Sequence, residues 1–192
     1  IMARGLSSTI KNILSSDNFI YTDILELHFP TPFFFIDGPH DMTITTPTSS
    51  GAKLYEATGE WLGYNNVSET GQPRIQTVTI ALSGINNTFT NLFLNNSYVN
   101  TRAVIYRIFV NANHVIQGSP VMIWDSEITS YTITDSEKTT QVDVKTSSVF
   151  FDFEKTRGRR TNNPSQQAFH PGDNGFEFAT VDTKDIRWGK KV

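Results

Sequence analysis

The sequence predicts a mainly β protein: an antiparallel sandwich or barrel with a short N-terminal helix and an extended C-terminal arm. Three observations lead there. First, Thr, Asn, Ser and Phe are in surplus over Lys, Glu and Ala. β-Branched and aromatic side chains suit a pleated, half-buried surface. Second, several segments alternate apolar and polar residues with a period of two. Third, pattern and charge both change after Glu154. The 192 residues allow one domain, or one domain with an arm. A chain of this size buries roughly 70% of its unfolded surface, so a core alone can hold it.

The elements follow in order. Leu6, Ile10, Ile13 and Leu14 fall on one helical face, with Ser7 or Ser8 as cap and Ser15 to Asn18 as the stop. Phe19 to Phe29 reads as a strand that is apolar on much of both faces, as a central strand is. Phe33 to Ile36 is a second short strand, closed by Asp37-Gly38-Pro39. From Met42 to Gln72, Thr, Ser and Gly dominate around the apolar knot Trp61-Leu62-Gly63-Tyr64, and short strands and loops are expected.

Arg74 to Ser83 alternates cleanly, with Val78, Ile80 and Leu82 on one face. Asn87 to Leu94 spaces Phe89, Leu92 and Phe93 for one or two helical turns. Ala103 to Val110 is the most hydrophobic strand. Val121 to Thr134 and Lys138 to Thr146 form an antiparallel pair about the turn Asp135-Ser136-Glu137. Val149 to Phe153 is expected to continue the sheet.

Two regions result: 1–154, the β domain with its helix, and 155–192, the arm. Residues 1–150 balance at −5 and residues 151–192 at +2. No sustained period is visible in the arm, yet it holds Phe169, Phe176, Phe178, Ile186 and Trp188. Apolar groups of that size must be buried, on their own domain or on a neighbour.

Chemistry is sparse. Zero Cys excludes disulfides, thiol catalysis, Fe–S clusters and Cys-based zinc sites. His28, His40, His114 and His170 stand isolated, and none has the spacing of a zinc-hydrolase helix. His28 reads as a packed or edge residue, and His170-Pro171-Gly172-Asp173 as a structured turn. No nucleophile elbow, phosphate-binding loop or dinucleotide fingerprint occurs. The expectation is a protein without catalytic residues, metal or cofactor. No apolar run reaches the roughly 18 residues of a membrane helix, and no secretory signal is expected.

Lys155, Arg157, Arg159 and Arg160 place four cations within six positions. Such a run can neutralise phosphates. No aromatic residue interleaves with it, so base stacking is unsupported. Contact with carboxylates of a partner subunit is the favoured reading, since Arg binds them bidentately. A solvated loop is the second reading and nucleic acid the third.

The order of motifs resembles the hub domain of lambda-like tail-tip proteins of tailed bacteriophages. The matching stretches are Trp61 to Tyr64, Thr77 to Gly84, Tyr98 to Phe109 and Trp124 to Ile128. In the arm, Gly158-Arg159-Arg160, Gln166-Gln167, His170 to Asp173 and Trp188-Gly189 resemble the ends of small phage tail proteins. The pattern spans about residues 6–150, with short motifs over 158–189. One departure matters. The family's Cys-rich Fe–S module has no counterpart here, because the chain has no Cys.

The resemblance implies a tail-tube-like barrel in a virion, at the tail tip or baseplate. It implies a C3 or C6 homo-oligomeric ring joining the tail tube or distal-tail ring to the central hub. Other expected partners are the tail fibre and the tape measure, with DNA only in passage and no membrane insertion. Lys155, Arg157, Arg159, Arg160, Phe169, Phe176, Phe178 and Trp188 become the expected subunit-interface residues. An acidic body would let DNA pass without sticking. Two alternatives stay open. One is a carbohydrate-binding β-sandwich of lectin or tail-fibre type, with Trp61, Tyr64 and Trp124 as sugar platforms. The other, disfavoured by the missing motifs, is a cell-wall glycan hydrolase.

Overall fold

The structure is a computed structural model. It describes residues 6–16, 18–68, 74–85, 87–95, 97–136, 139–151, 162–177 and 179. The chain divides into two compact units, Ile1–Phe153 and Glu154–Val192.

In the first unit, helix α1 (Ser8–Leu14) precedes strands β1 (Ile20–Leu27), β2 (Phe33–Ile36), β3 (Met42–Thr45), β4 (Ala52–Tyr55), β5 (Trp61–Tyr64) and β6 (Thr77–Ser83). Helix α2 (Thr88–Asn95) then leads to β7 (Arg102–Val110), β8 (Val121–Asp135) and β9 (Thr140–Ser147). Seven strands form an antiparallel sheet in the order β2-β1-β7-β8-β9-β6-β5, curled into a nearly closed barrel. Strands β3 and β4 form a separate hairpin.

The helix is capped as its sequence predicts: the Ser7 hydroxyl accepts the Ile10 N–H at 3.4 Å. Ile10 is buried while Leu14 is exposed, so only part of the apolar face finds cover. Strand β1 lies inside the sheet, between β2 and β7.

Two cores explain the long apolar runs. Leu25, Leu27, Ala103 and Ile105 point into the barrel with Ile80, Leu82, Ile128 and Val144. Ile24, Val104, Tyr106 and Ile108 point the other way, under Ile44 and Tyr55 of the β3–β4 hairpin. Strands β1 and β7 therefore read as continuous apolar runs because both their faces are covered. The hairpin also attaches through backbone: Glu56 N–H donates to Phe34 O at 3.0 Å, and Ile36 N–H donates to Glu56 O at 3.2 Å.

Helix α2 buries Phe89 and Phe93 in the barrel core. Phe29 and Phe93 meet edge-on with ring centres 5.6 Å apart, and Phe35 and Phe89 do so at 5.7 Å. Edge-to-face geometry is one of the favoured arrangements of aromatic rings.

Strand β8 changes partner along its length. Residues 121–127 pair with β7 and residues 127–135 with β9, with a register shift between Ile128 and Ser130. Such a stagger and bulge bend a sheet toward closure. The expected continuation over 149–153 is absent from its described part. β9 ends at Ser147, and Phe151 N–H returns to Ser148 O in a turn. Residues 152–153 lie outside the described residues.

The second unit departs from the arm without secondary structure. Residues Asn163–Phe169 form helix α3. Asn162 Oδ1 accepts the Ser165 N–H at 2.9 Å and Pro164 sits in the first turn. Cap and proline together are a helix-start signal that a search for apolar periodicity passes over. His170 to Asp173 is a turn, as expected, with Asp173 N–H on His170 O at 3.1 Å and Gly172 at φ +89°.

Candidate functional site

Two charged clusters stand out in the barrel, each built on β1. Asp23 is almost buried and lies directly opposite Arg107 in the β1–β7 register. The guanidinium grips the carboxylate with both prongs: Nε to Oδ1 at 2.8 Å and Nη2 to Oδ2 at 2.9 Å. Tyr64 of β5 donates its hydroxyl to the same Oδ2 at 2.8 Å. Arg107 also lies 4.1 Å above the centre of the Tyr21 ring, an attractive cation–ring contact.

Burial, and then the bond to Asp23, push the Tyr64 hydroxyl up to about 12. The Asp23 bonds hold the Arg107 guanidinium above its usual value, against desolvation. Local backbone makes the arrangement possible. The β5 ladder slips between Trp61 and Gly63, and Gly63 takes φ +129°, which only glycine adopts freely. The next residue, Tyr64, then stacks near Trp61 with ring planes 13° apart.

Beside this triad lies a cleft of about 500 Å³, lined also by Asp37, Asn65, Asn66 and Ile123. Its inner polar groups are already engaged. Arg107 and Tyr64 serve Asp23, Trp61 Nε1 donates to Gly63 O at 3.1 Å, and Asn65 Oδ1 accepts the Thr79 N–H at 2.7 Å. These bonds tie β1, β5, β6 and β7 together.

The second cluster surrounds Glu26, which has no exposed surface. Tyr55 and Thr46 donate hydroxyls to Oε1, each at 2.5 Å, while Thr48 donates to Oε2 at 2.5 Å. His28 Nε2 lies 2.9 Å from Oε2. Burial works to raise the Glu26 carboxyl, and these four bonds outweigh it and hold it below the usual value. Three of the four donors belong to the β3–β4 hairpin and its connection, so Glu26 fastens that hairpin to β1.

Of the residues expected at an interface, Phe169 is exposed on α3 and Phe176 is half-buried in a turn. Lys155, Arg157, Arg159, Arg160, Phe178 and Trp188 lie outside the described residues. Two of the three suggested sugar platforms do not fit that role. Trp124 is buried with Nε1 on Thr146 Oγ1 at 2.9 Å, and the Trp61 ring is buried as well. A stacking face needs exposure.

Two pairings escape the sequence pattern. Asp23, Glu26 and Arg107 are charges set inside apolar strands, and that exception is the signal that could have marked them. His40 and His114 are 74 positions apart in sequence, yet their rings meet edge-on with centres 4.7 Å apart. Among the described residues, no group of three or more His, Asp or Glu is placed to hold a metal ion. No helix among them is long and apolar enough to cross a membrane.

No protein-family model matches the chain, and no curated protein matches it. Solved structures do share its fold. One is a chain from the virion of a native gene transfer agent particle, with a TM-score of 0.54 at 11% identity. The match covers 81% of this chain and 49% of that one, so this chain spans about half the length of its structural neighbour.

Proposed function

We infer that the chain is a structural protein of a phage-like virion, acting as a ring component of the tail tip or baseplate. The observation that carries this reading is the shared barrel. It matches a virion chain over most of the present sequence, and it comes with an order of motifs similar to that of tail-tip hubs. In this role the barrel joins the tail tube or distal-tail ring to the central hub. It repeats as a closed homo-oligomer of three or six copies, with fibre and tape-measure proteins as further neighbours. No catalytic step, metal or cofactor is needed for the role.

The surface suits repeated assembly. Phe19, just before β1, and Ile20 and Tyr21 at its start have rings and chains partly exposed. Phe169 adds an exposed ring in the second unit. Aromatic and Arg side chains are the usual anchors of protein interfaces. The basic run Lys155, Arg157, Arg159 and Arg160 would meet the acidic body of the next copy.

Comparison of the full chain with a version ending at residue 154 tests this. Mass photometry should show closed rings for the full chain and a soluble, folded monomer for the shortened one. Unimpaired ring formation without residues 155–192 would remove the arm from the account. A monomeric full chain that binds a glycan would favour the lectin reading.

A further inference from the structure

His40 and His114 come from separate loops that are each fixed in place. The His40 loop follows β2, and its neighbour Asp41 accepts the Ala57 N–H through Oδ1 at 2.8 Å. The His114 loop joins β7 to β8. Asn111 ties it with three bonds: its side-chain oxygen accepts the N–H groups of Asn113 and Val115, each at 2.9 Å, and its carbonyl accepts the His114 N–H at 2.9 Å. His114 is left at φ +58°. That left-handed conformation is uncommon outside glycine and carries a strain cost. The loop therefore holds His114 in one place at some cost.

Both imidazoles are exposed, and their rings are perpendicular, with centres 4.7 Å apart. Zinc–imidazole bonds are about 2.0–2.1 Å long, so two imidazoles on one tetrahedral ion hold their ring centres roughly 5 Å apart. The observed spacing is close to that value, so the two rings lie near enough to share one ion. Imidazole is a preferred ligand for Zn²⁺, Ni²⁺ and Cu²⁺.

We propose that His40 and His114 form a two-histidine surface site for a divalent transition-metal ion, with water completing the coordination. The site links the β2–β3 loop to the β7–β8 loop.

Titration of the full chain with Zn²⁺ at pH 7.5, followed by calorimetry, tests the site. One ion should bind per chain with a micromolar dissociation constant. His114→Asn keeps a residue that accepts positive φ, and His40→Ala removes an exposed ring; each should weaken binding by about tenfold or more. His170→Ala should leave it unchanged. In the wild-type chain, Zn²⁺ should shift the imidazole NMR signals of two of the four histidines. Absence of saturable binding up to millimolar Zn²⁺ would overturn the proposal. So would binding that survives both substitutions, or binding lost with His170→Ala.

Discussion

Tyr64 hydrogen-bonds to Asp23 across the gap between the two ends of the sheet, at 2.8 Å. Tyr64 belongs to the last strand in the sheet order and Asp23 to the second. Among the described residues no ladder joins β5 to β2, so side chains complete what the backbone leaves open. Arg107 orients the Asp23 carboxylate for this bond by gripping both of its oxygens.

Tyr64→Phe removes the donor and keeps the ring. It should lower unfolding free energy by about 1.5–3 kcal/mol, the usual worth of a hydrogen bond to a charged group. Arg107→Ala should cost more, about 3–5 kcal/mol, because it leaves Asp23 nearly buried without its cation. Urea denaturation of both variants checks the order of the two effects.

Glu26 predicts a pH dependence with a definite sign. Its folded carboxyl lies below the ordinary value of 4.5. The stability it contributes is therefore complete above pH 4.5 and is lost as pH falls through the folded value. Glu26→Gln cannot accept at both positions from the surrounding hydroxyls. It should cost about 2–4 kcal/mol near neutral pH and flatten the acid limb. Urea midpoints between pH 3 and 7 for the two proteins measure both effects.

Gly84 leaves no room for a side chain. An added Cβ would sit 2.5 Å from Thr140 Cγ2 and 3.1 Å from the Thr140 carbonyl carbon. Gly84→Ala should destabilise by about 1–3 kcal/mol, the range for overpacking. Thr140→Ser removes Cγ2 and keeps the hydroxyl that donates to Asp135. The double variant should recover part of the loss in thermal melts, because the backbone approach remains.

Phe93 lies among Phe29, Tyr98 and Tyr131, with ring centres 5.6, 6.0 and 5.1 Å away. Phe93→Ala should cost about 3–5 kcal/mol and weaken the near-ultraviolet circular dichroism. Retention of both would contradict the placement of α2 in the core.

Much of this fold is legible in the alternation of its residues. Val78, Ile80 and Leu82 announce β6, and the Phe89–Phe93 spacing announces α2. The β3–β4 hairpin is harder to read, because each strand has only four residues and β4 exposes Leu54 while Lys53 shares a face with buried Ile44. Helix α3 escapes because its start depends on Asn162 and Pro164 rather than on an apolar face. The charged clusters are long-range. Asp23 and Arg107 are 84 positions apart, and only the register of β1 on β7 brings them opposite one another.

A cryo-EM map of a particle containing this chain tests the central claim most directly. The account predicts three or six copies of the barrel in a closed ring at the tail tip, with residues 155–192 of each copy lying on its neighbour. A map with no ring of this chain, or with those residues folded wholly on their own barrel, would contradict it.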